Sequence, residues 1–140
     1  MPRTYLPVTL RESVIVRAEG RCEYCLIHQD DTLFSHHIDH FIPLKHGGLS
    51  VSENLVLACP ECNRRKGSDL SAIDPVHEAI TPLFNPRVQI WTAHFALEEF
   101  TIVGKTAEGR ATVQLLRLNA AERLVQRQLL IQLGRYQAPS

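Results

Sequence analysis

The sequence predicts an α+β fold built around a small finger that is clamped at both ends. Three observations predict it. Four cysteines fall into two C-x-x-C pairs, Cys22/Cys25 and Cys59/Cys62. Between and just beyond the pairs, the residues read as strand, long loop, strand and short helix. Towards both ends of the chain, apolar residues recur at the three- and four-residue spacing of helices.

The elements follow in order. Thr9 and Glu12 make a capping-box pattern, and Leu10, Val14 and Ala18 share a helical face, so a helix is expected over 10–19 with Gly20 as its stop. Residues 22–31 read as a tight knuckle and loop. Phe34–Phe41 is rich in aromatic and branched residues and reads as a strand, ended by Pro43 and Gly47-Gly48. Leu55–Ala58 is a second short strand. Pro60 suits the first turn of a helix, and Glu61–Lys66 continues it up to Gly67. Residues 67–87 hold Pro75, Pro82 and Pro86 with little periodicity and read as irregular. Val88–Leu97 and Phe100–Val103 pair as a hairpin turned at Glu98-Glu99. Thr106 caps a helix to about Leu118. Asn119 with Glu122 opens another to about Leu133, stopped by Gly134.

A chain of 140 residues, 44% hydrophobic and 21% charged, fits one soluble globular domain over 1–140. No apolar run approaches a membrane span. Met1-Pro2-Arg3-Thr4-Tyr5 lacks the long apolar stretch of a secretory signal. The expected location is therefore the reducing cytoplasm, where disulfides are rare.

Two C-x-x-C pairs then point to a metal. Each pair presents two thiolates on one turn, and two pairs complete a tetrahedral site for structural Zn²⁺. The 33 residues from Leu26 to Ala58 are more than a plain zinc ribbon needs, so functional residues are inserted between the knuckles. The C-x-x-C motifs also occur in redox proteins, but no βαβ pattern surrounds these.

The net charge is zero, which gives no general attraction to phosphate. It is unevenly spread: residues 67–104 carry 1 basic and 5 acidic side chains, residues 105–140 carry 6 and 2. Either these are solvated helix faces or the basic tail helps hold a phosphate backbone.

The insert holds His37-Ile38-Asp39-His40, then Lys45-His46-Gly47-Gly48, then Glu53-Asn54-Leu55, and the second knuckle runs into Asn63-Arg64-Arg65-Lys66. Phosphodiester hydrolysis needs a base of near-neutral pKa to activate water, which suits histidine. It also needs a hard cation near the leaving oxygen, held by oxygen donors such as a carboxylate and an amide. Asp39 and His40 are neighbours on a strand and point to opposite faces if that strand is regular.

These residues, from about Arg21 to Gly67, resemble the HNH endonuclease family, whose ββα-metal motif runs D-H, P, G-G, N-L and C-x-x-C-N-x-x-K. The resemblance implies an active core over about 21–67 with an extension over 68–140. It implies Asp39 and Asn63 as ligands of a catalytic Mg²⁺ or Mn²⁺, His40 as the general base, and Asn54 as the residue that orients the loop and the histidine. It also implies products with a 5′-phosphate and a 3′-hydroxyl. Arg64, Arg65 and Lys66, with His37 and His46, are candidate contacts to the nucleic acid, DNA or alternatively RNA. The competing reading is a zinc-stabilised nucleic-acid-binding module without catalysis. Pro82–Arg87, Trp91, His94-Phe95 and residues 104–113 also resemble the C-terminal part of small bacterial HNH proteins, a likeness that assigns them no role.

Overall fold

A computed structural model describes residues 5–139, so the expectation about a leader at residues 1–4 lies outside the described residues. The described residues form an α+β fold of five α-helices and three separate two-stranded antiparallel sheets. No helix among the described residues is long and apolar enough to cross a membrane.

Helix α1 spans Val8–Arg17, beginning two residues before the expected start. Pro7 occupies the N-cap and no side chain caps the helix, so the Thr9–Glu12 capping box does not form. Glu19 and Gly20 both take left-handed backbone, and Gly20 N–H reaches back to the Ile15 carbonyl, which closes the helix as expected. The knuckle follows at once, since Cys22 N–H donates to Ile27 and Leu26 N–H to Cys22.

Strand β1 (His37–His40) pairs antiparallel with β2 (Leu55–Ala58), Asp39 opposite Val56 and His40 opposite Leu55. β1 is half the length expected, because Phe34 and Leu33 stay exposed outside the sheet. β2 is wholly buried. Its Leu55 and Leu57 pack with Val14 of α1, while Val56 and Ala58 face the larger core. Helix α2 (Pro60–Lys66) begins with Pro60 at its first turn, and the Cys59 sulfur caps it by accepting Cys62 N–H.

Residues 67–87 are not irregular throughout. A second hairpin joins β3 (Ser71–Ile73) to β4 (Ile80–Pro82). Its turn is organised by Asp74, whose carboxylate accepts the amides of Val76 and His77 and a two-pronged ion pair from Arg110. That long-range pairing leaves no trace in local periodicity, which is why the sequence reads as loop there.

The segment expected as one long strand from Val88 begins instead with a single-turn helix, α3 (Trp91–His94), before β5 (Phe95–Glu98) and β6 (Thr101–Gly104) form the hairpin. Helix α4 (Ala107–Leu116) is capped by Thr106, whose hydroxyl accepts Gly109 N–H, as expected. It lies hard against β6: a Cβ on Gly104 would meet Arg110 N at 2.4 Å, and one on Gly109 would meet the His94 carbonyl oxygen at 2.1 Å. Helix α5 (Ala121–Gln132) has no side-chain cap. Asn119 instead joins the β5–β6 hairpin, accepting Ile102 N–H and donating to Ile102 O. One core cluster runs from the knuckles through Phe84, Trp91 and Phe95 to Leu130 and Tyr136, so the extension packs directly on the finger.

Candidate active site and metal centre

The four knuckle cysteines are buried, and their sulfur atoms lie within 4.8 Å of one another. Cys25 Sγ and Cys59 Sγ are 3.7 Å apart. A tetrahedron of ~2.3 Å zinc–sulfur bonds has an edge of about 3.8 Å, so the cage fits Zn²⁺. Burial pushes the Cys22 and Cys62 thiols up. Cys25 is held well below the ordinary thiol range, first by the sulfur contacts from its three neighbours and further by the charge of Arg123. The chain thus carries a four-cysteine zinc-binding cluster, and it is the only metal-type cluster of His, Cys, Asp and Glu among the described residues.

The knuckles are braced from outside. Trp91 Nε1 donates to the Tyr24 carbonyl at 2.9 Å, and the Tyr136 hydroxyl donates to the Cys25 carbonyl at 2.7 Å. Arg123 NH2 lies 3.1 Å from Cys62 Sγ and 3.8 Å from Cys59 Sγ. Glu23 accepts Leu57 N–H and pairs with Arg87. None of these bracing roles was legible in the sequence, because the partners are 34 or more residues apart.

The finger holds the remaining candidates. Asp39 sits in β1, and burial raises its carboxyl above the ordinary range against the pull of Lys66 and the His40 amide. Its Oδ2 is buried without a hydrogen-bond partner. An orphaned carboxylate oxygen is the donor a hard divalent cation requires, so Asp39 fits a metal ligand. His40 follows it, with Nε2 2.8 Å from Ser50 Oγ. Ser50 lies in the loop after Gly47-Gly48, and sequence reasoning did not single it out.

That loop is tied down by Asn54. Its Oδ1 accepts Ile42 N–H at 2.9 Å, and its Nδ2 donates to the carbonyls of Ile42 and Leu49 at 3.0 and 2.9 Å. Asn54 touches the loop that carries Ser50 and does not bond His40 itself. Gly47 takes left-handed backbone, and a Cβ on Gly48 would stand 1.6 Å from the Ile42 oxygen, so this crossing admits only glycine.

Asn63 lies one helical turn before Lys66 on α2 and is half-buried. No side-chain hydrogen bond of Asn63 appears among the described residues. Lys66 is buried, its ammonium donating to the Phe41 carbonyl at 2.8 Å and lying over the Phe41 ring. Burial lowers its pKa, while Asp39 opposes the shift. Lys66 on α2 therefore faces the end of β1 where Asp39 and His40 sit. Lys66 is thereby corrected from a surface phosphate contact to an internal brace. Arg64 is exposed and Arg65 half-buried, both paired with Glu61. His37 and His46 are exposed. His36 is buried, one ring nitrogen 2.8 Å from the Ile27 carbonyl. His94 packs against Phe84 and bonds Thr106.

The comparisons with known proteins agree with this geometry. Residues 22–69 match the family model of the HNH endonuclease. Those residues are similar to an HNH domain. Beyond the HNH domain, the similarity extends along most of the chain to the Septu protein PtuB of Bacillus thuringiensis, 28% identical over 124 residues, which is 87% of this chain and 46% of that protein. Protein ea31 of Escherichia phage lambda is 34% identical over 76 residues, 53% of this chain and 24% of that protein. The chain therefore spans less than half the length of either relative. The match to the HNH model covers the sequence from Cys22 to Asp69, both knuckles and the finger between them.

Proposed function

We propose that this chain is a metal-dependent endonuclease that hydrolyses DNA phosphodiester bonds. The observation that carries the reading is the pairing of an orphaned, buried Asp39 Oδ2 with the adjacent His40, whose far ring nitrogen is pinned by Ser50, inside an HNH domain.

In this reading Asp39 and the Asn63 amide oxygen hold Mg²⁺ or Mn²⁺, and when bound the ion offsets the charge that develops on the leaving 3′ oxygen. In the tautomer this mechanism needs, Nε2–H is donated to Ser50 Oγ and Nδ1 is the basic nitrogen. Nδ1 takes a proton from water as that water attacks phosphorus, and the P–O3′ bond breaks. Asn54 fixes the loop that delivers Ser50, so the imidazole meets the phosphate already oriented. Arg64, Arg65, His37 and His46 are the side chains offered to the phosphate backbone. The Zn²⁺ held by Cys22, Cys25, Cys59 and Cys62 is structural, because four thiolates leave no open position. Thiolate ligands also suit a reducing compartment such as the cytoplasm.

Purified protein incubated with supercoiled plasmid, and in parallel with single-stranded RNA, tests this. Cutting of the plasmid with Mg²⁺ or Mn²⁺, blocked by a chelator and leaving 5′-phosphate ends, is expected. DNA that is bound yet remains intact under both metals would transfer the assignment to a non-catalytic binding module. Cutting of RNA alone would replace the substrate.

A further inference from the structure

The most unusual charge in the molecule is a buried arginine outside the HNH domain. Arg123 lies in α5, 61 residues beyond Cys62, and is 8% exposed. Its NH1 donates to the Leu116 carbonyl at 3.0 Å, which fixes the guanidinium plane. Its NH2 is thereby aimed at two sulfur atoms of the second knuckle, 3.1 Å from Cys62 and 3.8 Å from Cys59. No carboxylate pairs with it among the described residues. A buried guanidinium without a counter-charge is costly, so the thiolates are its counter-charge.

Arg127, one turn along on the same face, is a contrast. It donates to the carbonyls of Leu118 and Phe100 and touches no sulfur. The tail's two buried arginines thus do different work: Arg127 ties backbone segments together, and Arg123 meets the metal cage.

We propose that Arg123 is an outer-sphere partner of the zinc centre. A Zn²⁺ held by four thiolates carries a net charge of about −2, and the four cysteines are buried, where such a charge is poorly screened. Arg123 offsets part of the charge with N–H···S bonds to Cys59 and Cys62, and so slows their release of the ion. The reverse also holds, because coupling between two binding events is reciprocal. A filled cage retains Arg123, and with it α5, whereas an empty one leaves the guanidinium with less to bind. The extension is thereby latched to the finger by the metal. The inference rests on the Cys₄ site holding zinc and is independent of whether the chain cleaves nucleic acid.

The test is zinc release from the native protein to an excess of chromogenic chelator, with zinc content measured first. About one zinc per chain in the wild type establishes the cage, and a metal-free wild type would overturn the cage reading before Arg123 is addressed. Arg123→Met is expected to lose zinc about 10- to 100-fold faster than wild type, the usual size of an outer-sphere effect. Two controls, Arg127→Met and Asn119→Ala, also loosen the extension but remove no contact to either knuckle, so they are expected to release zinc near the wild-type rate. Replacing zinc with Co²⁺ gives a second readout, since the sulfur-to-cobalt absorption band should shift in the Arg123 variant and not in the controls. Should Arg123→Met fail to fold, Arg123→Gln keeps a donor without the charge and must still release zinc faster. Wild-type release from a folded Arg123 variant overturns the proposal. So does equal acceleration in Arg127→Met, which would mean general loosening.

Discussion

At the scale of single residues, the site depends on atoms that have no freedom to move. Gly48 lies so close to Ile42 that any side chain must displace the 42–50 loop, and with it the Ser50 hydroxyl that holds His40. Gly48→Ala is therefore expected to lower cleavage about 10²-fold, the size that follows from misplacing a reacting group by about 1 Å. Its melting temperature should fall far less than its activity. A single-turnover assay alongside a thermal melt checks both, and full activity would show that loop placement is not limiting. Asp39, His40, Asn54 and Asn63 could be proposed from the sequence as a set because they resemble a motif of fixed spacing. Ser50 was not, because its role depends on where the loop returns. Lys66 was read as a nucleic-acid contact because its burial depends on the Phe41 carbonyl, 25 residues earlier, which local sequence does not show.

At the scale of elements, a glycine and a carboxylate decide how the parts of the extension pack on one another. Gly109 of α4 stands against the His94 carbonyl, so Gly109→Ala forces helix and hairpin apart. A loss of about 1–3 kcal/mol is expected, as for other overpacked contacts. Chemical denaturation measures it, and an unchanged midpoint would mean that α4 is free to shift. The β3–β4 turn hangs on Asp74. Hydrogen bonds from Arg110 and then from the Val76 and His77 amides hold its carboxyl well below the ordinary range. A folded pKa below the unfolded one means that the ionised group favours the fold. That contribution is complete above the unfolded value of about 3.9 and fades as pH drops through and below it. Asp74→Asn should accordingly melt below wild type near neutrality, with the gap closing as the pH falls towards 3. A gap that stays constant in melts from pH 7 to pH 3 would contradict this. Helices whose caps lie within the sequence, such as Thr106 at α4, were readable. Asn119 looked like a cap and serves the neighbouring hairpin instead, because tertiary pairing with Ile102 outcompetes the local bond.

For the whole molecule, the zinc cage and the extension form one packed unit around a shared core. Of the six basic side chains in residues 105–140, Arg110 and Arg135 pair with Asp74 and Asp31, while Arg123 and Arg127 are buried. The basic tail that the sequence offered as a phosphate clamp is thus largely spent on internal contacts. Charge counts along a chain do not show which groups face inward. Because structural zinc binding is coupled to folding, Cys59→Ser should lose both the metal and the cooperative melt of the entire chain, including the extension. Calorimetry with metal analysis tests this, and a zinc-free variant with a wild-type melt would show that the cage is not needed for the fold.

In the proposed reaction His40, oriented by Ser50 and set beside Asp39, activates the attacking water. Single-turnover cleavage of plasmid DNA in Mn²⁺, comparing wild type with His40→Ala, addresses it directly. Loss of a general base should slow cleavage about 10²- to 10⁴-fold while DNA binding and zinc content stay unchanged. A variant that cuts at the wild-type rate would contradict the claim.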